Sequence, residues 1–458
     1  MSAGGGLGVP GRRPAAGTPR PYHFPVFRRR RLACGAALLT APVPGRPLVS
    51  ARLILEGGAA AERAEVGGVS VLAAQALTEG TERYSAIELI EATERLGADL
   101  HAEAGWDGLS IGLAVPVARL EPALALLAEV ALRPVFPESE VARLRDERLA
   151  DLMQARAEPR RLAELHFLAA IYREGSPYAR PVGGLEPTVG RLDRAAVAAR
   201  FAAAADPARA TLVVAGEVEE EAVAETLERL FGDWHTAAPV GAVPVDDRDS
   251  VERTFVRLVD RPGSVQSELR IGHVGVPRRI ADFHATAVTG AILGGLFRSR
   301  LQLKLREEKG YTYGASASFD FRRAAGPFTV RTAVRTDATA PAIADTLAEL
   351  ERIRDEPVQA EELAAARDFL VGVFPLRFET PGAIAAAIGG LVVHGLPDDE
   401  LERYRPAVSA VTAEQVQQVA RARIHPDRVA ILVVGDADAV DADLRAAGFG
   451  DVQVVREA

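Results

Sequence analysis

The sequence predicts a duplicated α+β protein. Two homologous α+β domains are expected, each a mixed, mainly antiparallel sheet with helices packed on one face. Three observations predict it. Residues 206–217, DPARATLVVAGE, and 425–436, HPDRVAILVVGD, share an X-Pro-X-Arg turn followed by an apolar strand, at an offset of 219 residues. The same offset relates LDRAAVAARF (192–201) to VTAEQVQQVA (411–420), and PALALLAEV (122–130) to PAIADTLAEL (341–350). The first of these pairs opens on a polar N-cap, the second on Pro near the first turn. Apolar residues alternate in LSIGLAVPV (109–117) and PFTVRTAV (327–334), the period of a strand. Several segments repeated at one offset are the mark of a tandem copy.

The elements follow in order. At 458 residues, 48% of them hydrophobic, the chain has material for two sizeable cores. Residues 1–20 read as a disordered tail. RRRRLACGAALLTAPV (28–43) has the basic start of a secretory signal, but its apolar core is short and lies too far from residue 1. A first strand is expected from Leu32, with Arg28 to Arg31 as a solvated strand edge. The first domain, 21–235, then offers a strand in VSARLILEGG (49–58) and a helix within GGVSVLAAQALTEGT (67–81). Further helices are expected in SAIELIEATERLG (85–97) and VARLRDERLADLMQARAE (141–158). TAAPVGAVPVDDRDS (236–250) has linker composition. The second domain, 251–458, contains the strand SELRIGHVGV (267–276).

Composition excludes several classes. A formal charge of -9 argues against a nucleic-acid partner. One cysteine, Cys34, permits no intrachain disulfide. No run of eighteen apolar residues is present, so no transmembrane helix is expected and no membrane partner. A cytoplasmic location is the expectation.

Ordinary catalytic signatures are missing. The histidines at 23, 101, 166, 235, 273, 284, 394 and 425 lie at least eleven residues apart, so none forms a local ligand pair. There is no nucleophile elbow, Walker loop or dinucleotide fingerprint. The Gly-Gly pairs at 67–68, 294–295 and 389–390 read as tight turns. GGLFRSRLQLKLREEKGYTYGASASFDF (294–321) is more informative. Phe297, Leu301 and Leu305 are spaced as an apolar helix stripe, Lys309 and Gly310 as its last turn and cap, and YTYGASASFDF as the strand that follows. Arg306 and Tyr313 thereby converge in the expected fold. Together they have the chemistry to hold a carbonyl oxygen or oxyanion. The residues alone favour a solvated Arg and a half-buried strand Tyr over such a pair.

The duplicated unit, the ending ALTEGT, SPYARPVGG (176–184) and FRSRLQLKLREEKGYTYG together resemble the pitrilysin/insulinase/mitochondrial-processing-peptidase family of zinc peptidases. The resemblance covers nearly the whole chain after the first twenty residues. Active members carry HxxEH in such a frame: two His bind zinc and the Glu activates water. Laid on GVSVLAAQALTEGT, the ligand positions fall on Val71 and Gln75 and the base on Ala74. A third ligand position falls near Asp151. The resemblance therefore implies a non-catalytic subunit with no cofactor of its own, zinc being expected in a homologous partner that carries HxxEH. It also implies a heterodimer enclosing a peptide chamber, to which Arg306 and Tyr313, spaced R-x(6)-Y as in the family, contribute substrate contacts. The alternatives are a structural core-type or peptide-binding member with no role in proteolysis, and a homodimeric module that holds peptides without cutting them.

Overall fold

The structure, a computed structural model, describes residues 20–235 and 245–456. Apart from Arg20, the expected tail lies outside the described residues, as do residues 236–244 of the expected linker. β1 (Arg28–Arg31), β2 (Ala37–Pro42), β3 (Leu48–Glu56), β4 (Asp99–Ala104), β5 (Gly108–Pro116) and β6 (Ala210–Gly216) form one six-stranded sheet, ordered β1-β2-β6-β3-β5-β4. β7 (Phe255–Asp260), β8 (Gln266–Val274), β9 (Ala315–Phe319), β10 (Pro327–Arg335), β11 (Ala430–Gly435) and β12 (Asp451–Val455) form the other, ordered β12-β7-β11-β8-β10-β9. Among the described residues only β2–β6, β7–β11 and β7–β12 pair in parallel. The fold class is as expected, two mixed sheets of like topology.

The helices of the first copy are α1 (Val69–Ala76), α2 (Ala86–Arg95), α3 (Leu120–Leu132), α4 (Glu138–Ala157), α5 (Pro159–Ile171), α6 (Glu186–Val189), α7 (Arg194–Ala204) and α8 (Glu220–Phe231). Those of the second are α9 (Phe283–Gly290), α10 (Thr339–Asp355), α11 (Ala360–Val373), α12 (Pro381–His394), α13 (Glu400–Ser409), α14 (Ala413–Arg423) and α15 (Ala437–Ala447). The repeat survives to the residue: β5 and β10, and likewise α7 and α14, start and end 219 positions apart. Local chemistry explains the starts. Ser85 and Glu88 form a capping box on α2, Thr412 and Gln415 form one on α14, and Asp193 caps α7.

Most helices of each copy cover one face of their own sheet. The opposite face is covered by exchange. α5 of the first copy lies on β8 and β11, packing Leu162, Phe167 and Ile171 into a cluster with Leu432 and Val434. α12 of the second lies on β3 and β6, joining Ile384 and Ile388 to Ile54 and Val213. Central strands β6 and β11 are thus buried on both faces, which is why ATLVVAG and AILVVG are apolar throughout. Two further contacts tie the copies: Tyr172 Oη donates to the Ala325 carbonyl at 2.8 Å, and Arg323 meets Glu56 at 3.0 Å.

Some local expectations change. Leu32 does not start a strand; it enters the turn that joins β1 to β2, closed by Gly35 at φ +96° and by the Leu32 amide on the Ala36 carbonyl. Arg28–Arg31 themselves form β1, an edge strand with every residue exposed, matching the solvated-edge reading. Gly67–Gly68 is a turn, with Gly68 at φ +97°. Gly294–Gly295 and Gly389–Gly390 instead lie in helical segments, and what Gly294 and Gly389 provide is close approach. A Cβ on Gly389 would stand 2.7 Å from Ile54 Cδ1, and one on Gly294 2.0 Å from the Ala317 nitrogen. The described end of the expected linker is fastened down: Ser176 Oγ donates to the Asp246 carbonyl, and the Ala325 amide to Asp247 Oδ2.

Candidate functional site

The α1 segment is built with care although its chemical positions are empty. Glu62, with its side chain wholly buried, accepts from the amides of Gly68 (2.9 Å) and Ser70 (2.6 Å), two donors the helix start leaves unpaired. Arg180, from the Pro-Tyr-x-Arg-Pro segment, donates to Glu62 at 2.6 Å and so neutralises the buried carboxylate. Arg200 donates to Ser70 Oγ and to the Gly57 carbonyl. On this anchored helix Val71 is half-buried, Ala74 is buried and Gln75 is exposed.

Asp151 sits on α4, which packs against α1. It lines a cavity of about 390 Å³ between α4, α5 and the 181–186 segment, beside Arg148. Burial pulls the Arg148 guanidinium below its ordinary pKa, with the Asp151 charge opposing that shift. A valine and an alanine offer no donor and a glutamine amide is a poor one, so the positions present do not fit zinc. Among the described residues no three His, Cys, Asp or Glu side chains are grouped to hold a metal ion. No metal step is assigned to this chain.

In the second copy, residues Gln302–Glu308 wind as a π-helix. It ends as expected at Gly310 with φ +61°, whose amide bonds the Arg306 carbonyl while the Tyr311 amide bonds that of Leu305. The apolar stripe is shorter than its spacing predicts. Leu301 and Leu305 are fully buried, but Phe297 lies in the turn ahead of the helix and is 72% exposed. Its ring is covered by Arg306, whose guanidinium carbon stands 5.0 Å from the ring centroid, and Arg306 Nε is 3.5 Å from Glu307. Tyr313 is 93% exposed, where the bland reading expected a half-buried ring, and lines a separate groove of about 660 Å³ beside β9. No hydrogen bond or ring contact joins Arg306 to Tyr313 among the described residues.

The histidines are packing residues or surface groups. His273 on β8 is buried, and desolvation pulls its imidazole down to about 4. Its Nδ1 bonds the Val274 carbonyl and its Nε2 accepts from the His425 amide, so the neutral ring is fully used. The sequence reading passed over Arg270, Arg331 and Arg160, which line the groove holding Tyr313, and Glu164, which pairs with the first two. A partial signal was present: Arg270 sits between Leu269 and Ile271, and Arg331 follows Val330, each a charge in the middle of a strand.

Two sheets of one topology, a helix frame of the inverted zinc type with its ligands replaced, and a second copy ending a helix at Gly310 define a peptidase-like duplicated protein whose zinc motif is substituted. Family models agree. Residues 39–183 match Insulinase (Peptidase family M16) and residues 191–370 match Peptidase M16 inactive domain, together taking in most of the chain. The chain belongs to the M16, or insulinase, family and is of the type that lacks the zinc motif. An uncharacterized zinc protease of Mycobacterium tuberculosis is 25% identical over 399 residues, 86% of this chain and 90% of that protein. A Helicobacter pylori protein named non-peptidase homolog YmxG is 22% identical over 340 residues, 73% of this chain and 76% of its own length. The fold is shared with a peptidase M16 inactive domain from Pseudomonas fluorescens (TM-score 0.82, 24% identity, 90% of this chain and 98% of that one). It is also shared with a protease from Helicobacter pylori (TM-score 0.83, 16% identity, 90% and 100%).

Proposed function

We propose that this chain is the non-catalytic subunit of a two-chain zinc metallopeptidase. It closes a peptide chamber with a homologous, HxxEH-bearing partner and lends Arg306 and Tyr313 to that partner's site. One observation carries the reading: α1 keeps its buried Glu62–Arg180 anchor while Val71, Ala74 and Gln75 occupy the chemical positions. The relative named a non-peptidase homolog supports the same view. Peptide joins an open sheet edge as an added strand, held by main-chain hydrogen bonds that tolerate many sequences. The fixed charge of Arg306 and the hydroxyl of Tyr313 then hold the scissile carbonyl oxygen as negative charge grows on it. Residues 21–235 and 251–458 serve as its two domains. The cytoplasm is the compartment that a chain with a single cysteine supports.

The test is peptidase activity of this chain, of a zinc-bearing homologue, and of their mixture. This chain alone is expected to be inactive and the mixture active. Tyr313→Phe should lower turnover of the mixture roughly 100-fold, the scale of one lost oxyanion donor. Arg306→Ala should act in the same direction. Cleavage by this chain freed of partner would sink the proposal, and unchanged rates in both variants would remove the two side chains from the site.

A further inference from the structure

The groove beside β9 carries an electrostatic arrangement that the family resemblance does not use. In register, Arg270 on β8 stands opposite Arg331 on β10, which stands opposite Ser316 on β9. Residues directly opposite in antiparallel strands share one face, so two guanidinium groups lie side by side. Like charges so placed are destabilising unless something compensates them. Arg270 is compensated. It is 2% exposed and donates to Glu268 at 3.0 Å, to the Leu269 carbonyl at 2.8 Å and to the Arg160 carbonyl at 3.1 Å.

Arg331 is not compensated to the same degree. Glu164 of α5 is shared between the two arginines, 3.4 Å from Arg270 Nε and 3.5 Å from Arg331 Nη2. The other bond of Arg331 goes to a neutral group, Ser318 Oγ at 3.0 Å, and its side chain keeps 32% exposure. That bond also shows where the charge lies: Arg331 reaches from β10 over to β9. Arg160 is exposed at the start of α5, lines the same groove and makes no ion pair among the described residues. Tyr313 stands at the rim without hydrogen bond or ring contact among the described residues.

β9 is the last strand of its sheet and pairs only with β10 among the described residues. Its residues alternate, Ala315, Ala317 and Phe319 toward the core, Ser316 and Ser318 outward. A strand added at this edge lies about 5 Å away, with nothing larger than serine between its side chains and Arg331. We infer that this groove is a peptide site that selects an acidic side chain, with Arg331 as the anion contact and Arg160 and Tyr313 at its rim. The inference rests on the reading of this chain as the peptide-holding subunit, and it names the class of peptide.

The experiment is fluorescence anisotropy of short labelled peptides with the full chain, no partner present. Two extended peptides differ at one central position, Glu or Lys. The Glu peptide is expected to bind about tenfold more tightly, and the preference to shrink at about 0.5 M salt. Arg331→Gln should cut the preference to about twofold or less. Arg160→Gln, at an exposed position that leaves the fold intact, should cut it by a smaller factor. Methylating alternate peptide amides should weaken both peptides, as strand addition requires. Equal binding of the two peptides, no binding of either, or a full preference retained in both variants overturns the inference. The two readings fail separately. A Glu preference with an inactive mixture sinks only the partner proposal, and an active mixture with no Glu preference sinks only this one.

Discussion

In the first sheet Arg52 on β3 stands opposite Gly112 on β5, which stands opposite His101 on β4. At the matching place in the second sheet the row is Arg270, Arg331, Ser316. The first row is charge-balanced, although Arg52, Glu103 and Ser110 line a groove of their own. Arg52 is neutralised by Glu103 at 2.8 Å and braced by Ser110, the His101 ring lies against the bare Gly112 backbone, and α12 covers the neighbouring strands. In the second row Arg331 shares Glu164 with Arg270, beside the groove that holds Tyr313. Register was kept by both copies because each sheet's inner face builds a core, where a slip would turn every apolar side chain outward. The outer faces were free to differ, and the chemistry differs there.

Three perturbations sharpen that comparison, beginning with the largest. Glu62→Ala leaves Arg180 buried without its counter-charge and uncaps α1, and should cost about 3–5 kcal/mol in chemical denaturation. The matching helix start in the second copy, Asp282 before α9, holds only a partly exposed pair with Arg423 at 3.3 Å. Asp282→Ala should therefore cost about 1 kcal/mol or less, and equal costs would erase the contrast between the two helix starts.

Acid tests the second contrast. His273 occupies in β8 the place of Leu55 in β3: each stands opposite the aligned residue of the neighbouring strand, Phe328 or Leu109. The folded-state pKa of His273 is lowered, first by desolvation and further by His425 and Arg428, with the hydrogen bond to the Val274 carbonyl and the charge of Asp427 opposing. The unfolded chain therefore binds the proton more readily. The stabilisation is complete above about pH 6.5 and is lost as pH falls toward about 4, a total of about 3 kcal/mol. Urea midpoints across that range should fall for the native chain and fall less for His273→Leu. Parallel curves would exclude His273 as the acid-sensitive group.

The smallest effects separate two adjacent glycines. Gly389→Ala drives a Cβ to 2.7 Å from Ile54 Cδ1 and should cost about 1–3 kcal/mol. A Cβ on Gly390 meets nothing within 4 Å, so Gly390→Ala should stabilise by about 0.5–1 kcal/mol through helix propensity. The same sign for both would mean that α12 does not approach the first sheet closely.

Much of the scaffold was legible in the residues. The 219-residue offset, the capping patterns at Ser85 and Thr412 and the alternation in β5 and β10 are local signals, and each element appears within a few residues of its expected place. Phe297 was misread because spacing alone cannot tell that the chain turns at 296–299 before the helix begins. Leu32 was misread because an apolar residue beside a basic run fits a turn of a hairpin as well as a strand. For the site, the blank positions Val71, Ala74 and Gln75 were legible because a missing donor is a property of composition. For Arg331 the strand position was legible but its charge balance was not, because Arg270 and Glu164 are distant in the chain.

By itself the sequence determined the duplication, the element types and the absence of zinc chemistry at the α1 motif, since these follow from local periodicity and from which atoms each side chain carries. Only the tertiary structure decided that α5 and α12 are exchanged between the sheets, that Tyr313 lines the groove beside β9 while Arg306 lies over Phe297, and that Arg331 shares its counter-charge Glu164 with Arg270. Burial and charge compensation depend on distances between residues up to 219 positions apart and beyond, and no local pattern encodes those distances.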